Sequence, residues 1–154
     1  MRPARLARAL AGVRRISLDT ALFIAAADAA DRRQACAAWL LDEIERGRFG
    51  CTISAVSAAE LFAGALKRGL RKGLAGQAFL RQYPHLDVAS VTIDIAADAA
   101  HIRLATNLKL PDCIITATAL LHGAEAIVHA DRAWARAAAH AHGTKFIYLA
   151  DYCP

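Results

Sequence analysis

Fourteen of the 154 residues are Asp or Glu, and four of these occupy equivalent places along the chain. Asp19 directly follows the apolar run Arg15-Ile16-Ser17-Leu18. Glu60 sits three residues into a stretch opened by Ser57, after the β-branched run Cys51-Thr52-Ile53-Ser54. Asp112 follows Pro111 at a helix start, and Asp131 follows the run Ala126-Ile127-Val128. Each has an ordinary structural explanation. Ser57-Ala58-Ala59-Glu60 reads as a capping box, with Glu60 reaching back. Asp19 and Asp131 read as helix N-caps, and Asp112 favours the positive end of its helix. Together they say more, because three follow strands and the fourth opens a neighbouring helix. All four would meet at one edge of a parallel sheet. Carboxylates so gathered repel one another unless a cation neutralises them. Their hard oxygens select Mg²⁺ or Mn²⁺ over zinc, and no His/Cys cage competes. Such a site hydrolyses phosphodiesters, with helix N-termini as further donors to phosphate oxygens.

The elements that must position these acids alternate between strand and helix. Strands are expected at 15–18, 51–54, 88–91, 126–128 and 145–149. Between them, helical patterns are expected over 21–30, 31–46, 57–66, a stretch ending at Tyr83, 93–108, 111–122 and 132–142. The reading is an α/β/α three-layer sandwich around a parallel sheet of four to five strands, because repeated βαβ units require crossovers. In such sheets function collects at the carboxyl ends of the strands.

Bulk properties agree. The chain is 56% hydrophobic and has positive mean hydropathy, which excludes a disordered chain. No apolar run approaches the roughly 18 residues of a membrane span. Cys36, Cys51, Cys113 and Cys153 form no CxxC pair, so they read as reduced core thiols of a cytoplasmic protein. The net charge of +5 belongs to the first fifteen residues, which hold five arginines and no acid; bases and acids balance over the rest. Residues 1–15 read as a basic arm, either a phosphate-gripping segment, a disordered leader or the product of an early start codon, ahead of one domain at 16–154. Lys67, Arg68, Arg71 and Lys72 form a basic turn, read as an RNA-steering patch or a solvated loop. Arg132 and Arg136 are placed at the cleft mouth. His129 is read as a proton donor or RNA contact, or else as a satisfied strand-end residue.

Four segments carry a family resemblance: residues 16–24 around Asp19, 52–61 around Glu60, 108–119 around Asp112 and 127–134 around Asp131. In that order and spacing they resemble the motifs of PIN-domain ribonucleases, over about residues 16–149, and most closely the VapC-type toxins of toxin–antitoxin pairs. The resemblance implies a Mg²⁺- or Mn²⁺-dependent endoribonuclease acting on structured RNA such as tRNA or ribosomal RNA. It implies a small antitoxin partner, a homodimer, and a catalytic metal held by Asp19, Glu60, Asp112 and Asp131. It gives Thr20 a part in ordering metal-bound water. Three departures stand out: His129-Ala130 where the family often has Thr-Asn, Cys113 for a usual Ala, and Ala133 where a fifth acid is frequent. The rival readings are a housekeeping PIN nuclease without antitoxin, and a PIN-like module that binds RNA or a partner without cutting. A phosphatase with Asp19 as nucleophile lacks the usual second Asp, since Ala21 stands there. A receiver-like domain lacks its adjacent acids.

Overall fold

A computed structural model describes residues 3–141 and 143–153. Its centre is a five-stranded, all-parallel sheet in the order β3-β2-β1-β4-β5, formed by β1 (Arg15–Leu18), β2 (Gly50–Ser54), β3 (Leu86–Ala89), β4 (Ala126–His129) and β5 (Lys145–Tyr148). The chain runs outward from β1 through β2 to β3. It then returns to the other side of β1 as β4 and β5. The order therefore reverses between β1 and β4, and the carboxyl edge at such a switch point is where open parallel sheets collect function.

Helices cover both faces. α2 (Thr20–Ala27) and α3 (Gln34–Glu45) join β1 to β2; α4 (Ala55–Leu66) and α5 (Leu70–Gln82) join β2 to β3. α6 (Ile93–Thr106) and α7 (Leu110–Leu121) join β3 to β4, and the short α8 (Ala135–Ala138) precedes β5. The strand pleat sorts side chains between two cores. Ile16, Leu18, Ile53, Val128 and Ile147 pack with Leu22, Cys36, Leu40 and Ile44 on one side. Ile127 packs with Ile115 and Trp134 on the other. β4 is buried along its whole length, as expected for a strand covered on both faces.

Several element boundaries differ from the sequence reading, each for a local reason. The helix after β2 starts at Ala55, capped by Ser54, whose Oγ accepts from the Val56 N–H. Ser57 is therefore not an N-cap. It is fully buried in the helix, and Glu60 lies beyond the first turn, which removes the capping-box explanation of that acid. The basic segment is a turn only as far as Gly69, at φ +116°, after which Arg71 and Lys72 belong to α5. Asn107, in the left-handed region at φ 55°, ends α6 and allows α7 to start with Pro111 in its first turn. After β4 the chain makes a 3₁₀ turn at Arg132–Trp134 and then α8, rather than one helix reaching His142, which lies outside the described residues.

The segment read as a free arm is packed over its described part. Ala4–Ala9 forms α1, and Leu6 and Leu10 are completely buried in the main core. The cause is amphipathic: Leu6 and Leu10 sit four apart while Arg5 and Arg8 stay exposed. Lys145 Nζ donates to the Ala9 carbonyl at 3.0 Å, and the Arg5 guanidinium lies over the Tyr152 ring. Met1 and Arg2 lie outside the described residues. We predict that Leu6→Ala costs about 2–4 kcal/mol in urea denaturation. An unchanged midpoint would show that this segment does not hold the core.

Candidate metal centre at the sheet switch point

Asp19 continues the β1 ladder by one residue, its N–H donating to the Val128 carbonyl at 3.0 Å. By strand alternation its side chain follows Ser17, whose register partner is Ile127, toward the face that carries α7. Asp112 stands in the first turn of α7. Glu60 projects from α4. Asp131 stands just past β4, next to β1 in the sheet. The structure thus brings the four acids of the sequence reading to one edge, from four elements and across the switch point.

Their electrostatics show how close they are. Asp19 is pushed up to about 6, chiefly because burial withholds water. The Ala130 and Ala21 amides offset part of this, and the charges of Asp112 and Glu60 add to it. Asp112 is also raised, by burial first and then by Asp131 and Glu60, with Lys109 opposing. Each of the four therefore lies within electrostatic reach of at least one other. None has an ion-pair partner among the described residues.

A hard divalent cation fits this set in charge and donor type: oxygen donors only, with no cation paired to any of them among the described residues, two half-buried and two exposed. The carboxylate oxygens stand apart, however. Among the described residues no three His, Cys, Asp or Glu side chains form a grouping close enough to hold an ion. Two of the acids accept hydrogen bonds from other donors. Thr20 Oγ1 donates to Glu60 Oε2 at 2.6 Å, and the Ala133 N–H donates to Asp131 Oδ1 at 2.8 Å. Asp131 thus does serve as an N-cap, as the simpler reading expected. Asp19, at the N-cap position of α2, makes no cap hydrogen bond there.

The accessory residues divide. Thr20, adjacent to Asp19, is buried and tied to Glu60. His129 is 2% exposed, so it has no surface to offer RNA. It stacks on Trp134 with ring centroids 5.5 Å apart, and its Nδ1 lies 2.9 Å from the Asp131 carbonyl. Burial holds this imidazole below its usual range. Of the two readings the sequence left open, the geometry favours the satisfied strand-end residue, packed on Trp134 and in contact with the Asp131 carbonyl. Arg132 is exposed, above the Tyr148 ring and 3.5 Å from Asp151. Arg136 ties α8 to the end of α6 through the Thr106 carbonyl at 3.1 Å.

Two residues near the acids were missed in the sequence. The hydroxyls of Ser17 and Ser57 are buried without hydrogen-bond partners among the described residues, although such groups normally find one. Ser17 is two residues before Asp19 on the strand, and Ser57 is three before Glu60 on one side of α4. Their places directly before two of the acids are the signal, visible once those acids are singled out.

The PIN domain family model matches residues 16–140. Among solved structures the chain is similar to a toxin–antitoxin complex from Klebsiella pneumoniae, at 25% identity and a TM-score of 0.61, over 78% of this chain and 90% of that one. It is also similar to VapBC2 from Rickettsia felis bound to a promoter DNA fragment (14% identity, TM-score 0.65, 86% and 96% covered). A third is Mycobacterium tuberculosis VapC20, a sarcin–ricin loop cleaving toxin (20% identity, TM-score 0.64, 84% and 98% covered). No curated protein matches the chain by sequence.

The raised Asp19 carboxyl has a stability consequence. Because its folded pKa lies above its unfolded one, the folded chain binds more protons between about pH 4 and about pH 6. Metal-free stability should therefore fall as pH rises through that window and stay reduced at neutrality. We predict that Asp19→Asn raises metal-free stability at pH 7 by on the order of 1–3 kcal/mol. Mg²⁺ or Mn²⁺ should raise the melting temperature of the native chain but not of the variant. Equal stabilisation of both by metal would remove Asp19 from the ion's ligands.

Proposed function

Because the chain belongs to the PIN domain family, we propose that it is a Mg²⁺- or Mn²⁺-dependent endoribonuclease, the toxin of a VapBC-type pair. One observation carries the reading: four carboxylates, from the ends of β1 and β4 and from α4 and α7, stand along one edge of the sheet, and two of them are held above their ordinary range by burial and by their neighbours' charge. Asp19, Glu60, Asp112 and Asp131 would hold the ion, which when bound supplies Lewis acidity toward water and phosphate. The protein's own part is positioning. Asp19 is fixed by its ladder bond to β4. Asp112 is aimed by the Asn107 elbow, and Thr20 holds Glu60 beside Asp19. The N-termini of α2 and α7, at Asp19 and Asp112, add backbone donors for phosphate oxygens. The substrate class is structured RNA, tRNA or ribosomal RNA; VapC20, similar in fold, cleaves the sarcin–ricin loop.

The partner reading rests on a groove. Phe23, Ile24, Leu41, Leu61, Ala65 and Phe79, from α2, α3, α4 and α5, line an apolar channel of about 450 Å³ that also reaches Glu60 and Arg68. It is shaped to take an apolar peptide segment, and two of the similar structures are toxin–antitoxin complexes. An antitoxin segment lying there would end beside a catalytic acid. The absence of a fifth acid at Ala133 favours a single tightly held ion; with the spacing of the carboxylates it stands on the side of a non-cutting module.

Purified chain incubated with total RNA should cleave it with Mg²⁺ or Mn²⁺ and stop with EDTA. Asp19→Asn should lower the rate by at least about 10²-fold without unfolding the chain. Cleavage that survives chelation would end the metal reading. Ile24→Glu, in the groove, should abolish inhibition by the antitoxin while leaving cleavage intact; inhibition that persists would place the antitoxin elsewhere.

A further inference from the structure

Arg132 and Tyr148 come from different elements, and the fold makes them neighbours beside the acids. β4 and β5 are in register at His129↔Tyr148, and β1 and β4 at Leu18↔Val128. Extending β1 by one residue sets Asp19 next to His129, so Asp19, His129 and Tyr148 form one row across the carboxyl edge. Residues in one row share a face of the sheet, and two strand spacings put Tyr148 about 10 Å from Asp19. Arg132 directly follows Asp131, and its Cζ lies 4.7 Å from the centroid of the Tyr148 ring, within cation–π range. His129 packs against the same ring, with centroids 5.9 Å apart. Asp151 lies 3.5 Å from the Arg132 guanidinium. An exposed pair of this kind adds little stability, but it steadies one edge of the group. The Arg132 side chain is still 76% exposed, so its outer face is open.

We propose, on the reading of this chain as a nuclease that acts on RNA, that Arg132 and Tyr148 form a stacking platform for one base of the substrate, beside the scissile phosphate. Splayed-out bases are recognised by stacking on aromatic rings and on arginine guanidinium planes. A guanidinium laid over a ring offers that plane already ordered, so less rotamer freedom is lost on binding. The place suits a base better than a phosphate. Asp131 precedes Arg132 in the chain and Asp151 stands against it; two carboxylates so near disfavour a further anion and leave a neutral base unaffected. The backbone of the same nucleotide has cations of its own. Tyr148 also borders a recess of about 440 Å³ lined by Arg32 and Arg33. Arg33 is fixed by two bonds to Asp31, at 3.0 and 2.6 Å. Arg32 is exposed and pairs with no acid among the described residues, which leaves it free for a phosphate.

Binding is read without cleavage, by fluorescence anisotropy of a labelled tRNA pool in EDTA at low salt, with heparin as a polyanion that has no bases. Arg132→Lys keeps the charge and removes the plane. It should weaken tRNA binding about tenfold and leave heparin binding unchanged. Tyr148→Leu should weaken tRNA binding by a similar factor, and Tyr148→Phe should not. Arg132→Lys and Tyr148→Leu together should cost no more than either alone, because the two act as one surface. With Mg²⁺ present, Arg132→Lys should raise KM for RNA cleavage and leave kcat within about twofold. Its melting temperature should rise with Mg²⁺ as the native chain's does. Equal losses for tRNA and heparin, a native chain that binds no tRNA, or an Arg132→Lys chain that binds it undiminished would each overturn the proposal. A chain that gives any of those results yet cuts RNA with Mg²⁺ remains a nuclease and loses only the platform. One that discriminates as expected but cuts nothing keeps the platform and loses the nuclease reading.

Discussion

Like charge gathered along one edge of the sheet is the constraint on which this molecule turns. The Asp19 backbone is pinned, because its own amide is a rung of the β1–β4 ladder. Asp112 cannot swing away, because the Asn107 elbow and Pro111 set where α7 begins. The fold therefore forces carboxylates together that would separate if free. It tolerates this partly by lending two of them to other donors, Thr20 for Glu60 and the Ala133 amide for Asp131. A divalent ion would compete with those donors for the same oxygens, so metal affinity and local structure are coupled at this edge.

Much of the arrangement is legible in the sequence. Period-two and helical patterning locates all five strands and the main helices, and acids after strands point to the carboxyl edge. The misreadings share a cause: they concern residues whose role depends on distant partners. Ser57 resembles a cap because Ser-x-x-Glu is a capping signature, yet Ser54 lies closer to the end of β2 and takes that position. The sequence leaves His129 open between chemistry and packing because nothing nearby in the chain announces Trp134, Phe146 and Tyr148 around it. The segment around Leu6 looks free because five arginines hide two leucines at helical spacing.

Glu125 makes the same point from the other side. In the sequence it is one acid among fourteen, with no special placement. In the structure its carboxylate accepts the Arg14 and Arg15 amides at 2.5 and 2.9 Å, which holds it below the usual carboxylate range. It secures the start of β4 beside the start of β1, opposite the edge that carries the four acids. A charge that would read as solvated surface thus helps set the register that aligns Asp19 with Asp131.

That register joins residues far apart in the chain; Arg15 and Glu125 are separated by 110 positions. Parallel pairing over such a span forms late, after the intervening loop entropy has been overcome. A nascent chain leaving the ribosome carries Asp19 and Glu60 early. It cannot complete the acidic edge until β4 has also emerged and slotted in beside β1. The chemistry of that edge is thus withheld for most of the chain's own synthesis.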